Sequence, residues 1–179
     1  MIFATVGTQL PFDRLLTALD RWAVRNPDIP ILAQSGATDR HYRHIETVPH
    51  LGQSEFNKHF QAARLVVAHA GMGSILSAAE MGKPIILMPR RAQFQEHRSD
   101  HQMDTAKEMA RLSNVAVVQD GEALHQALDH ALSQPSTASP LPGPSQACER
   151  APLISAVRDF VWSGFDLSAP TTTHGKEAE

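Results

Sequence analysis

Residues 65–82, L-V-V-A-H-A-G-M-G-S-I-L-S-A-A-E-M-G, hold the densest chemical signal in the chain. An apolar run ends at His69, Gly71 and Gly73 break it, and a helical stretch starts at Ser74. Glycines let a backbone approach a ligand closely. A helix start offers free N–H groups and the positive end of the helix dipole, so an anion fits there, with phosphate the natural guest. His69 falls at the carboxyl end of a strand, where open α/β sheets bind ligands. The plainer reading is a tight βα turn with Ser74 as the helix N-cap. No G-K-[ST] follows the glycines, so this is not a Walker loop, and their spacing is not that of the dinucleotide fingerprint.

A second polar segment runs from Pro89-Arg90-Arg91 through Glu96-His97-Arg98-Ser99-Asp100-His101-Gln102. It follows an apolar run and leads into a helix. Two His, two carboxylates and a Gln suit a polyol such as a sugar, whereas the plainer reading is a solvated loop. His97, Asp100 and His101 match no standard metal spacing. No D-x-D triplet exists to hold a divalent ion on a diphosphate. Arg90 and Arg91 suit a phosphate or carboxylate, although a bare Arg-Arg is more often solvated. A third candidate loop is Gly7-Thr8-Gln9, again just after a strand. His41, His44, His50, His59, His125 and His130 read as surface residues.

These loops need a frame that brings them to one edge. Apolar runs at Ile2–Val6, Ile31–Ala33, Ile45–Val48, Leu65–Ala68, Ile85–Met88 and Val115–Val118 read as strands. Helix-period segments at about 12–25, 54–63, 74–81, 99–112 and 121–133 alternate with them, with Ser54 as a cap for the second. The strands lack in/out alternation, as expected of a parallel sheet covered on both faces. The fold class is therefore α/β, a Rossmann-like parallel sheet with helices on both faces. Three loops on one edge of such a sheet form a crevice.

The 179 residues match roughly one domain at about 100–200 residues each. A hydrophobic share of 42% allows a packed core, and a net charge of −3 advertises no nucleic-acid partner. One cysteine, Cys148, cannot form an internal disulfide. No apolar run approaches the ~18–20 residues of a membrane span. The N-terminus does not read as a secretory signal. The domain is expected over 1–133. Residues 134–150 read as a Pro/Ser-rich linker, 151–165 as a C-terminal amphipathic helix and 166–179 as a disordered tail.

Three motifs in order resemble the C-terminal, nucleotide-sugar-binding half of GT-B glycosyltransferases. They are T-V-G-T-Q-x-x-F-D-R-L, H-A-G-M-G-S-I-L-S-A-x-E-x-G-K-P and P-R-R-x-x-x-x-E-H-R-x-D-H-Q. The resemblance is to the glycosyltransferase twenty-eight family of the bacterial peptidoglycan N-acetylglucosaminyl transferase. Its split relatives are closer still: the small catalytic subunit of the eukaryotic UDP-GlcNAc transferase and the PssE-type subunits of bacterial exopolysaccharide synthesis.

The resemblance implies that His69, Gly71, Met72, Gly73 and Ser74 face the donor diphosphate, with His69 and Ser74 as the catalytic pair. Relatives usually carry an acid for the ribose where this chain has Ser77, and Glu80 is the available substitute. Gln53, beside Gly52, falls where backbone groups pair with uracil. Gly7 and Thr8 belong near phosphate and acceptor. Arg90, Asp100, His101 and Gln102 are implied at the donor sugar, with Arg90 or Arg91 reading a carboxylate if that sugar is glucuronic acid.

The implied activity is an inverting, metal-independent transfer of a hexose (glucuronic acid, GlcNAc or glucose) from a UDP-sugar to a lipid-linked saccharide, in exopolysaccharide or capsule synthesis. No cofactor is implied beyond the donor substrate. One Rossmann-like domain leaves the acceptor site, and the general base, to a membrane-anchored partner subunit. The expected location is cytoplasmic, at the inner membrane face through that partner. The rival from another class is a non-catalytic nucleotide-sugar-binding or scaffolding module, favoured by Ser77. A stand-alone hydrolase or epimerase is the third reading, and the short length speaks against it.

Overall fold

The structure, a computed structural model, describes residues 1–133. The expected linker, C-terminal helix and tail lie outside the described residues. Six strands form one parallel sheet: β1 Ile2–Thr5, β2 Ile31–Gln34, β3 Glu46–Val48, β4 Leu65–His69, β5 Ile85–Met88 and β6 Val115–Val117. Their order is β3-β2-β1-β4-β5-β6. The helices are α1 Asp13–Arg25, α2 Gln53–Ala62, α3 Met72–Glu80, α4 His101–Met109 and α5 Gly121–Ser133.

Successive side chains of a strand point to opposite faces, and both faces are covered here. Ile2, Ala4, Leu65, Val67, Ile86 and Met88 pack with Leu15, Leu16, Leu19 and Trp22 of α1 and Leu124 and Leu128 of α5. Phe3, Val66, Ala68, Ile85 and Leu87 pack on the other side with Phe60 of α2, Ile75 and Ala78 of α3, and Ala106 and Met109 of α4. That is why the strands read as unbroken apolar runs. Each fully buried Leu, Ile or Phe contributes on the order of 1.5–3 kcal/mol. Trp22 also donates its indole N–H to Asp129 Oδ1 at 2.7 Å, tying α1 to α5.

Two helix starts differ from expectation. Gly71, not Ser74, is the N-cap of α3, and Gly52, not Ser54, that of α2. Gly71 has extended backbone angles (φ −93°, ψ 137°), so the helix begins at Met72. Ser74 becomes its third residue, and the first-turn donors are the amides of Met72, Gly73 and Ser74. The helix expected over 99–112 is shorter, His101–Met109, because a 3₁₀ turn at Ala92–Phe94 and a polar loop precede it.

Strand order reverses beside β1: the chain runs outward to β2 and β3, then returns to β4 on the other side. The loops leaving β1 and β4 therefore diverge, and a crevice opens at their carboxyl ends.

Candidate functional site

A cleft of about 330 Å³ occupies this reversal point. The end of β1 and its following loop contribute Thr5, Gly7 and Thr8. β4 contributes His69, and the first turns of α3 contribute Gly73, Ser74 and Ser77. Gln34 lines it from the end of β2, and His50, Leu51, Gln53 and Phe56 from the β3–α2 loop and the start of α2. Seven residues named from sequence thus meet in one cleft: Gly7, Thr8, Gln53, His69, Gly73, Ser74 and Ser77.

His69 sits between two glycine backbones. A methyl group on Gly71 would lie 2.2 Å from its Nε2, and one on Gly7 2.9 Å from its Cε1. Real Cβ atoms do not approach that closely, so both glycines make room for the imidazole. Gly7 also has φ +76°, a left-handed conformation that favours glycine. Gly73 differs, since a Cβ there would meet nothing within 4 Å. The second glycine of the motif therefore has open space beside it, while the space at Gly71 is taken by the histidine ring.

His69 Nδ1 lies 3.5 Å from the Thr5 carbonyl. A carbonyl only accepts, so this contact puts the proton on Nδ1 and the lone pair on Nε2. Burial pushes the ring pKa down to about 4, Arg90 and His97 push it the same way, and the Thr5 carbonyl opposes them. His69 is therefore neutral near pH 7. Positive potential at the ring comes from Arg90, and the amino end of α3 adds to it in the cleft.

The donor-sugar set does not join the cleft lining. Arg90 is 3% exposed. Its Nη1 donates to the carbonyls of Pro11 (2.9 Å) and Glu96 (3.0 Å), and its Nη2 to those of Val6 (2.6 Å) and Leu10 (2.6 Å). All four Nη hydrogens are committed to carbonyls, which leaves no pair of donors for the carboxylate contact expected of Arg90 at the donor sugar. Gln102 is buried as well, and its Oε1 accepts from the Arg90 backbone N–H at 3.1 Å. Asp100 Oδ1 accepts from the Ala92 N–H at 2.8 Å. His101 Nδ1 lies 2.7 Å from Ser99 Oγ, and its ring meets that of His97 edge-on at 4.4 Å. These residues form a separate cluster on the β5–α4 loop and the first turn of α4, next along the same sheet edge. Among the described residues, no group of three His, Cys, Asp or Glu side chains is placed to hold a metal ion.

Glu80 is exposed at the last residue of α3 and is not among the cleft residues. Ser77, one turn beyond Ser74, is the residue of this helix face that reaches the cleft. Arg91 is held by Gln119 Oε1 at 2.6 Å, while its Nε is buried without a partner. Thr5, Gln34, His50, Leu51 and Phe56 escaped the sequence reading. For the first four the signal was position alone, at or just beyond strand ends, and Phe56 lies within α2. Of the histidines read as surface residues, His50 is exposed and also lines the cleft, whereas His59 and His125 are half-buried: His59 stacks on Phe3 at 6.1 Å, and His125 Nε2 contacts the Ala18 carbonyl at 2.8 Å.

A larger groove, about 650 Å³, lies between α1, α5 and the 3₁₀ turn, lined by Asp13, Arg14, Arg21, Phe94, Glu122 and His125 among others. It shares no residue with the cleft and lies away from the glycine loop and the α3 start. Among the described residues, no helix is long and apolar enough to cross a membrane.

The family described as Glycosyltransferase family 28 C-terminal domain matches residues 1–154. A Caenorhabditis elegans protein named as a UDP-glucuronosyltransferase, ugt-50, is 24% identical over 185 residues, covering 97% of this chain and 34% of that protein. Among solved structures, the glycotransferase of kitacinnamycin superposes with a TM-score of 0.59 at 18% identity, over 87% of this chain and 39% of the other. ALG13, solved by NMR, superposes with a TM-score of 0.53 at 16% identity, over 74% of this chain and 85% of the other. The chain thus spans about a third of the curated relative it matches, and the structural likeness is one of fold.

Proposed function

The chain belongs to the glycosyltransferase family 28 C-terminal domains, and from that premise we propose that it is the donor-binding catalytic subunit of a two-chain UDP-sugar hexosyltransferase. Its six-stranded parallel sheet is that of the C-terminal half of a GT-B glycosyltransferase. The observation that carries the proposal is the cleft at the strand-order reversal, where the open side of Gly73 and the first-turn amides of α3 face Gly7 and Thr8.

In this reading the diphosphate lies against the start of α3. An acceptor hydroxyl attacks the anomeric carbon from the face opposite UDP. The new C–O bond forms as the bond to the UDP oxygen breaks, and the acceptor proton passes to a base on the partner. Charge grows on the leaving diphosphate, and the amides of Met72, Gly73 and Ser74 offset it with dipoles already oriented. Ser74 adds its hydroxyl, and neutral His69 acts through hydrogen bonding. Leu51, Phe56 and Gln53 form the wall for the base, and Ser77 with Gln34 the contacts for the ribose. The sugar extends toward Asp100, His101 and Gln102. No cofactor is required, and the helix start takes the neutralising role in a metal-independent transfer.

The acceptor half and its membrane anchor belong to a separate chain, and the acceptor is a lipid-linked saccharide of exopolysaccharide or capsule synthesis. The protein then works at the cytoplasmic face of the membrane. The carboxyl edge of the sheet, where Thr8, His50, Gln53 and Gly73 are exposed around the cleft, supports this arrangement. One observation favours a second reading, a non-catalytic nucleotide-sugar-binding module: Ser77 stands in the cleft where relatives carry an acid.

Calorimetry with UDP and turnover assays with the co-expressed partner separate the two. We expect UDP to bind and the pair to release UDP from a UDP-sugar. His69→Ala with Ser74→Ala should cut that release sharply, and an unchanged rate would remove the catalytic assignment. Binding without turnover in the reconstituted pair selects the module.

A further inference from the structure

We propose that Arg90 is a positioning residue that sets the shape of the Val6–Phe12 loop, and through it the Gly7–Thr8 rim of the cleft. The inference rests on the nucleotide-sugar reading of the cleft and assigns Arg90 a role other than sugar contact.

Arg90 sits just beyond β5, two strands away from β1, yet three of its four carbonyl partners, Val6, Leu10 and Pro11, belong to the loop after β1. The fourth is Glu96 of its own loop. Among the described residues, the stretch between Gly7 and Pro11 makes no backbone–backbone hydrogen bond of its own. Gly7 N–H has only a long contact, 3.4 Å, to Thr5 Oγ1. The loop's form is therefore imposed by a cation at its centre. The planar fork of arginine can serve several carbonyls at once at fixed angles, which a lysine ammonium cannot do at the same reach.

Two further contacts fix the fork. Its carbon lies 4.7 Å from the centre of the fully buried Phe12 ring, a cation–π contact. Glu96 is clamped in turn by Arg14, with Nε to Oε1 and Nη2 to Oε2 both at 2.8 Å, and by the Arg91 backbone N–H at 3.0 Å. Arg14 also donates to the carbonyls of Pro89 and Gln119. The loops after β1, β5 and β6 are thus joined by one network, with Arg90 bonded to the loop that lines the cleft. Burial lowers the Arg90 pKa to about 10, and Glu96 opposes the shift, so the group stays charged near pH 7.

The test uses the full chain with Arg90→Lys, read by backbone 15N relaxation and by UDP calorimetry. Order parameters at Gly7 and Thr8 should fall from rigid-backbone values of about 0.85 to below about 0.6 while those of Val66 and Val67 in β4 hold, and UDP should bind at least tenfold more weakly per folded molecule. Unchanged order parameters at Gly7 and Thr8 overturn the proposal. So does a loss of order spread equally through the sheet with UDP affinity intact, the mark of a merely structural role. If the unaltered protein fails to bind UDP, the nucleotide reading falls, while the ligand-free relaxation result still decides the role of Arg90. Should Arg90→Lys not fold, the unaltered protein serves: four carbonyl bonds predict slowly exchanging, separately resolved Nη protons at Arg90, and averaged signals overturn the proposal.

Discussion

His69 enters the cleft as a neutral ring, and its titration makes two predictions of definite sign. Its folded pKa, about 4, lies below the ordinary 6.5. The unfolded chain therefore takes up the proton first, and the fold loses stability as pH falls from 6.5 toward 4, with no such loss above 6.5. Thermal melts of the protein and of His69→Gln at pH 7 and pH 5 should show a larger loss for the protein with its histidine. Equal losses would remove the buried-neutral assignment. A bound diphosphate has the opposite effect, because a nearby anion favours the protonated ring. Affinity for a UDP-sugar, whose diphosphate diester does not titrate there, should rise as pH falls from 7 to 5. Calorimetry in buffers of different ionisation enthalpy should show proton uptake. The glycines bear on the same residue. Gly71→Ala should displace the ring and weaken UDP binding at least tenfold, since its methyl group would sit 2.2 Å from Nε2. The H-A-G-M-G pattern made the cleft loop visible in the sequence, but not which glycine makes room for the histidine and which opens onto free space.

Helix α3 carries the electrostatics. Its first turn faces the cleft, and the open space at Gly73 allows a test in which stability and binding move in opposite directions. Gly73→Asp adds a carboxylate to the amino end of a helix, a gain of about 0.3–1 kcal/mol from the dipole. It also removes a helical glycine, which is less favourable than most residues by up to about 1 kcal/mol. The melting temperature should hold or rise, while UDP affinity falls at least tenfold because the new charge occupies the phosphate position. Loss of stability together with intact UDP binding would refute the placement of the diphosphate. The existence and type of every described strand and α-helix were legible from apolar runs and helical spacing, but the caps were not. Serine is a favoured cap, yet at Gly52 and Gly71 the chain already turns into the helix two or three residues earlier. Sequence spacing cannot distinguish these two starts, because both keep the same apolar face buried.

On the scale of the whole molecule, the sheet divides the core into two layers, and the layers serve different ends. The α1–α5 layer is scaffold. Trp22→Ala removes a fully buried indole and leaves Asp129 without its partner, for a loss of about 3–5 kcal/mol. Chemical denaturation should register that loss, while UDP affinity per folded molecule stays within twofold, since no cleft residue lies on α1. A large drop in affinity would mean that the layers are coupled. The α2–α3 layer instead supplies the cleft walls through Gln53, Phe56, Gly73, Ser74 and Ser77. The wall from β2 and the β3–α2 loop was the least legible part of the site. Gln34, His50 and Leu51 sit in no motif and reach the cleft only because the outward-running half of the sheet brings their loop back over β1.

The sequence by itself determined the α/β class, the described strands and α-helices in order, and the two loops that meet at the reversal of strand order. Those are local properties, since periodicity and glycine placement act over a few residues. Only the tertiary structure decided which polar groups are free. Arg90 and Glu96 have the residue types of a sugar site, yet both are engaged in tying loops together. A buried polar group must find partners, and here the partners lie up to 84 residues away in the chain. Which of them reaches it is fixed by the packing of the sheet edge rather than by any local pattern.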